Sequence, residues 1–291
     1  MSQEEIAFFN NFVHEISVPH FIHFTKGRNY DILSVIPSCG RDTMDMQGFF
    51  RENPRVAIAF SGGVDSAYLL YAGAAYGMEI RAYYVKSQFQ PAFELAHAER
   101  LCRELSVELK VLPLDQLADP VICSNTLDRC YYCKKRIFSA IRDAAIEDGF
   151  PILCDGTNAD DREDDRPGFR ALRELKIRSP LRECGLTKEE IRRRSKEVGL
   201  FTHDKAAYAC LATRIPTGEP LTEEKLRITE QAEGLLYDMG FRDFRIRCVN
   251  GIAKLQIRQE QFPLYGETKE TLLAKLAPLY RELWQEPEVR L

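Results

Sequence analysis

No apolar run in the sequence approaches the ~20 residues that a membrane-spanning helix needs, and the opening MSQEEIAFFNNF has neither the basic region nor the cleavage site of a secretion signal. A cytoplasmic protein with no membrane partner is expected. Basic excess is missing as well: 40 Lys and Arg against 44 Asp and Glu leave a net charge of −4. The whole molecule is therefore a poor electrostatic match for nucleic acid, which needs a local basic patch at the least. There is no Gly-Lys-Ser/Thr phosphate loop and no GxGxxG dinucleotide turn. A CxxC pair occurs once, at Cys130 and Cys133, so a closed zinc site built from two such pairs is excluded. Internal repeats and low-complexity segments are absent.

What remains is a chain of 291 residues, 45% hydrophobic and 29% charged, long enough for one large or two modest domains. From Arg55 the pattern becomes regular. RVAIAF reads as a buried strand, SAYLLYAGAAYG as a helix ended by Gly77, and EIRAYYV as a second strand. PAFELAHAERLCRELS carries helical spacing, ELKVLPLD a third strand, KRIFSAIRDAAIEDG another helix, and FPILCDGTN a strand running into a polar loop. Strands alternating with helices of this length predict an α/β fold, a Rossmann-like parallel sheet with helices on both faces. Ligands of such sheets bind beyond the carboxyl ends of the strands, where SGGVDS, SQFQ and DGTNADD all fall.

We expect this domain over residues 54–216. After Pro216, TEEKLRITEQAEGLLYDMG reads as a helix, FRDFRIRCV and GIAKLQIRQ as strands around an Asn250-Gly251 hairpin turn, and KETLLAKLAPLYRELWQ as a closing helix. That predicts a small α+β domain over 217–291, serving substrate binding or oligomerisation. Residues 1–53 form an aromatic-rich N-terminal extension without an assigned role; its His14, His20 and His23 match no recognised ligand spacing.

The bend between the first strand and helix, SGGVDS, gathers backbone N–H groups and two hydroxyls at the positive end of a helix, a cradle for an anion. A tight turn needing glycine for its backbone angles would look similar. At the first strand of a parallel sheet, however, the string resembles the PP-loop ATP pyrophosphatases, which split ATP between the α and β phosphates. The resemblance implies that Gly62, Gly63, Val64 and Asp65 N–H groups with the Ser61 and Ser66 hydroxyls hold pyrophosphate. Asp65 suits Mg²⁺, a hard cation that prefers oxygen. Ala59, Phe60 and Val85 are the expected adenine contacts.

Nine cysteines without a secretion signal point to metal or catalytic use rather than disulfides. Cys130 and Cys133 alone are half a zinc site or a redox pair; with a distant third, Cys210 in YACLATRIPTGEP, they suit a [4Fe–4S] cluster with one iron free of protein thiolate. Arg214, close to Cys210, is expected to favour the reactive thiolate. Within DGTNADDREDDRPGFRA most carboxylates are read as a solvated loop. Asp155 and Asn158 stand where the strand ends, and Asp160 or Asp161 is the candidate for metal or ribose.

Four motifs in order, DRCYYCKK, DGTNADDREDDRPGFRA, SPLRECGLTKEEIRRRSKEVGL and ACLATRIPTGE, resemble the LarE family of ATP-dependent sulfurtransferases over about residues 54–260. That resemblance implies conversion of a pyridinium dicarboxylate mononucleotide to thiocarboxylates in nickel-pincer nucleotide synthesis. It also implies Cys210 as sulfur donor, ATP and Mg²⁺ as cofactors, a three-cysteine type with a [4Fe–4S] cluster, and a homo-oligomer. Arg214 joins the nucleotide contacts by the same likeness, and Glu233 with Arg245 and Arg247 would lie at the substrate phosphate. Arg245 and Arg247 share one strand face. The sulfur source is open, and two rivals stand: a PP-loop tRNA thiolase, and a non-catalytic nucleotide-binding assembly factor.

Overall fold

The computed structural model describes residues 45–161, 167–249, 252–284 and 286–290. Helix α1 (Met46–Glu52) opens on Asp45, whose carboxylate accepts the Gly48 N–H. Phe49 and Phe50 are fully buried on its inner side and join the first core. The end of the stretch read as an extension is therefore part of the sheet's own packing. His14, His20 and His23 lie outside the described residues.

β1 (Arg55–Ala59) leads through the glycine-serine bend into α2 (Val64–Ala75), followed by β2 (Glu79–Lys86), α3 (Ala92–Glu104), β3 (Glu108–Pro113), α4 (Arg129–Glu147) and β4 (Ile152–Cys154). The strands lie in the order β3-β2-β1-β4, and every pair is parallel. Side chains sort by the two-residue period of a strand. Val56 and Ile58 of β1 and Ala82 and Tyr84 of β2 pack in the core that holds α1, α2 and α3. Ala57, Tyr83 and Val85 face Phe138, Ile141 and Ala145 of α4. This alternation is why both faces carry helices, as the α/β reading expected. Two later helices complete the cover: α5 (Pro167–Glu174) on the α4 side through Phe169 and Leu172, and α6 (Lys188–Glu197) on the other through Ile191.

α4 starts at Arg129 rather than at Lys135, so the CxxC pair sits inside the first two turns. Asp128 occupies the cap position, and Tyr131 already contributes to the buried face. Residues 162–166, which include the acidic Glu163, Asp164 and Asp165, lie outside the described residues.

Beyond the cysteine loop, α7 (Glu223–Asp238) is capped by the Thr222 hydroxyl, which accepts the Lys225 N–H. β5 (Arg245–Val249) and β6 (Ile252–Ile257) pair antiparallel, while Asn250 and Gly251 lie outside the described residues. The last helix departs from expectation. α8 (Phe262–Leu276) begins earlier, with Pro263 in its first turn, and stops before Pro278, which lacks the N–H a further turn would need. Two short strands follow, β7 (Glu282–Leu283) and β8 (Glu288–Val289), each parallel to β6. A second core of Leu236, Phe241, Ile246, Leu255, Ile257 and Leu272 fills this sheet and its helices. Among the described residues no helix is long and apolar enough to cross a membrane.

Ile58 is fully buried at the middle of β1. Ile58→Ala is expected to cost about 2–5 kcal/mol, seen as a lower urea midpoint with an unchanged slope.

Candidate active site

The bend after β1 is built for close approach. Gly62 has φ +73°, and a β-carbon there would lie 3.2 Å from the Glu94 carbonyl oxygen. The Ser61 and Ser66 hydroxyls lie 3.2 Å apart, and Ser66 Oγ donates to the Gly63 carbonyl. Gly63 caps α2 with no side-chain bond to its first N–H groups, which leaves Val64 and Asp65 at the positive end of a twelve-residue helix. Gly156, just past β4, touches the same bend: a β-carbon at this residue would fall 2.8 Å from the Ser66 nitrogen. Ala59 ends β1 and Phe60 follows it, and Val85 is near the end of the adjacent β2, so the three expected adenine contacts lie with the bend at the carboxyl ends of these strands.

Two lysines that the sequence reading passed over stand at this bend. Lys188 Nζ bonds Asp65 Oδ2 at 2.7 Å, and Lys205 Nζ donates to the Gly62 carbonyl at 3.0 Å. Asp65 Oδ1 is buried without a hydrogen-bond partner among the described residues. A buried carboxylate oxygen with an open acceptor site fits a hard cation such as Mg²⁺. Lys205 also lies 4.0 Å from Glu94, which burial raises to about 7 despite Lys205, Arg214 and Lys86.

The polar loop after β4 arranges itself rather than offering free carboxylates. Asp155 accepts the Ser179 hydroxyl at 2.7 Å and the Thr157 hydroxyl at 2.6 Å. Asn158 Oδ1 accepts the Asp160 N–H, and Asp160 Oδ2 accepts the Lys188 N–H at the start of α6. Asp161 accepts the Asn158 N–H. Asp160 and Asp161, the candidates for metal or ribose, thus also help to set the loop and the start of α6.

The cysteines come from two directions. Cys130 and Cys133 ride on α4, and Cys210 precedes a short 3₁₀ turn, Leu211–Arg214, whose Leu211 N–H donates to the Phe89 carbonyl just past β2. Cys133 and Cys210 pack against one apolar cluster that includes Phe89, Ile122, Leu211 and Ala212. Burial pushes the Cys133 thiol up to about 12, and the Cys210 and Cys130 thiols push the same way. Burial also raises the Cys210 thiol; Cys130 adds to the rise, and Arg129 opposes it more strongly than Arg214. Cys130 is exposed. The three thiols match a thiolate-ligated group in donor type. Among the described residues, no three His, Cys, Asp or Glu side chains converge as a metal site.

Arg214 is 1% exposed and forms a bidentate pair with Glu233, itself 3% exposed: Nε to Oε1 at 2.6 Å and Nη2 to Oε2 at 2.9 Å. Glu233 also accepts the Tyr208 hydroxyl and the Ile246 N–H. Arg214 and Glu233, expected at the nucleotide and the substrate phosphate, are paired with each other. Arg245 differs. It is half-buried on β5, burial and its neighbours Arg290, Arg214 and Arg247 draw its pKa down, and it has no hydrogen-bond or ion-pair partner among the described residues. Arg247 is exposed and donates to Gln256 Oε1 at 3.2 Å.

No family model matches the chain. It is 34% identical over 220 residues to an uncharacterised protein of Synechocystis sp., covering 75% of this chain and 81% of that one. It is also 34% identical over 205 residues to the pyridinium-3,5-bisthiocarboxylic acid mononucleotide synthase of Lactiplantibacillus plantarum, covering 70% and 74%. The tRNA-specific 2-thiouridylase MnmA of Pseudothermotoga lettingae is 28% identical, covering 57% of each chain.

Because a β-carbon at residue 156 meets backbone rather than a side-chain tip, Gly156→Ala is expected to shift the bend and weaken pyrophosphate binding at least about tenfold, roughly 1.4 kcal/mol, by titration calorimetry. Glu94 gives a pH signature. Its folded pKa of about 7 lies above the ordinary 4.5, so the folded state takes the proton first and stability rises as pH falls from 7 to 4.5. Urea unfolding of Glu94→Gln across this window should show that slope reduced.

Proposed function

The chain belongs to the LarE family, and on that premise we propose that it is an ATP-dependent sulfurtransferase that converts a pyridinium dicarboxylate mononucleotide to the thiocarboxylate, a step of nickel-pincer nucleotide synthesis. A carboxylate is a poor acyl donor because oxide would have to leave. One substrate carboxylate oxygen attacks the α-phosphorus of ATP, pyrophosphate departs, and the acyl-adenylate carries AMP as a good leaving group. In this reading the Gly62, Gly63, Val64 and Asp65 N–H groups with Ser61 and Ser66 bind the pyrophosphate, and Lys188 and Lys205 offset its charge. Asp65 would hold Mg²⁺, which supplies electrostatic stabilisation of the departing oxygens. Ala59, Phe60 and Val85 line the adenine, and Arg245 with Arg247 takes the substrate phosphate, a contact suited to the guanidinium fork.

Sulfur then displaces AMP at the acyl carbon. With Cys210 as direct donor its sulfur forms a thioester as AMP leaves, and loss of the Cα proton with cleavage of the Cβ–Sγ bond then frees the thiocarboxylate and leaves dehydroalanine; with Cys130 and Cys133 it would instead hold a [4Fe–4S] cluster, which when bound supplies a renewable sulfur in place of the cysteine's own. The observation that carries the reading is the 3.0 Å bond from Lys205 to the Gly62 carbonyl. Lys205 lies five residues ahead of Cys210 in the chain, so the segment that leads into the donor loop is anchored at the anion bend. Residues 54–216 act in this reading as the ATP-splitting domain and 217–291 as the substrate and oligomer domain of a cytoplasmic homo-oligomer.

The test is anaerobic incubation with ATP, Mg²⁺ and the dicarboxylated pyridinium mononucleotide. AMP, pyrophosphate and thiocarboxylate are expected by mass spectrometry. Cys210→Ala should still release AMP but transfer no sulfur, and Asp65→Asn should slow AMP release about 10²-fold or more. AMP release that requires tRNA would replace this reading with a tRNA thiolase, and no AMP with either acceptor would favour a binding protein.

A further inference from the structure

Arg129 is a buried cation without a counter-charge. It is 8% exposed, and among the described residues it forms no ion pair with a carboxylate. Nη1 donates to two neutral oxygens, Asn125 Oδ1 and the Ala212 carbonyl at 3.0 Å. Nη2 faces Cys130 Sγ at 3.5 Å. Ala212 lies two residues past Cys210, so one guanidinium touches the CxxC helix and the donor loop together.

The group is held there from both sides. Asn125 is fully buried with φ 52°, outside the range most residues adopt, and its amide donates to the Pro216 carbonyl at 2.8 Å and the Glu219 carbonyl at 3.0 Å. The Asn125 carbonyl also accepts the Gly218 N–H. This clamp keeps the guanidinium from swinging out to solvent. Buried charges in proteins are paired, because an unpaired one forfeits hydration with nothing in return. Arg214, the other arginine near Cys210, is already neutralised by Glu233. The position of Arg129 therefore calls for an anion that the resting chain does not supply.

We propose that Arg129 is the anion-holding group of the cysteine site, the fixed counter-cation for a thiolate carried at Cys130. The inference rests on the sulfurtransferase reading for the identity of the anion alone. Neutral hydrogen bonds orient the fork without discharging it, and the remaining nitrogen meets the sulfur.

The experiment uses the full-length, metal-free protein and compares alkylation of Cys130 by iodoacetate and by iodoacetamide, quantified by peptide mass spectrometry. Both reagents see the same thiolate, so the ratio of their rates reports local positive potential and not thiol ionisation. In the wild type the ratio should exceed that of the urea-unfolded chain several-fold. Arg129→Gln, which keeps hydrogen-bonding capacity but no charge, should bring it down to the unfolded value. Arg129→Lys should retain at least half of the excess, and Arg142→Gln, far along α4 in an exposed pair with Asp143, should leave it unchanged.

A wild-type ratio equal to that of the unfolded chain overturns the proposal. So does a Gln variant that keeps the excess, or Gln and Lys variants that lose it equally. Should Arg129→Gln fail to fold, the wild-type ratio decides: a charge-set excess shrinks as NaCl is raised, and a salt-independent one overturns the role. Because the measurement involves neither ATP nor acceptor, absence of AMP formation would sink the functional reading and leave this result standing.

Discussion

A single ion pair with almost no access to water joins the parts of this molecule that chemistry would need to bring together. Arg214 sits at the end of the turn after Cys210, and Glu233 lies on α7 against the first residues of β5. Removing two charges from water costs several kcal/mol per ion, which is recovered only with good geometry and additional hydrogen bonds. Here both are present. The guanidinium binds bidentately, its third nitrogen takes the Ala209 carbonyl and the Thr213 hydroxyl, and the carboxylate takes Tyr208 and the Ile246 N–H. Such a joint tolerates the loss of neither partner, and it ties the loop that follows Cys210 to the second sheet.

With Arg214 so occupied, the remaining cations are of two kinds. Lys188 and Lys205 are ammonium groups at the bend, Lys188 on Asp65 and Lys205 on the Gly62 carbonyl with Glu94 nearby. Arg129 is the opposite case, a planar fork fixed by neutral acceptors. Cys133 and Cys210 pack in an apolar cluster that disfavours their charged form, while Cys130 is exposed.

Much of the fold was legible because it is written in short-range periodicity. RVAIAF and EIRAYYV could hardly be other than buried parallel strands, and the SGGVDS string between strand and helix marks its own bend. The α4 start was missed because DRCYYCKK was read as a motif rather than as the first turns of a helix. The final helix was displaced because strands of two residues leave no period to detect. Partners far apart in sequence were the least legible: Lys188 meets Asp65 across 123 residues, and Lys205 meets Gly62 across 143. Arg129 stood in plain view inside the quoted motif, yet Arg214 drew attention by its nearness in sequence to Cys210. Only burial and pairing tell the two arginines apart.

The unequal shelter of the three cysteines bears on how the protein ages in air. Peroxide attacks thiolates, and a buried thiol that stays protonated at neutral pH is a slow target. Cys133 and Cys210 are protected in this way, whereas Cys130 stands at the surface. Oxidative wear should therefore begin at the outermost sulfur, as a sulfenic acid that a thiol can still trap as a reducible disulfide with loss of water, and leave the innermost one intact longest.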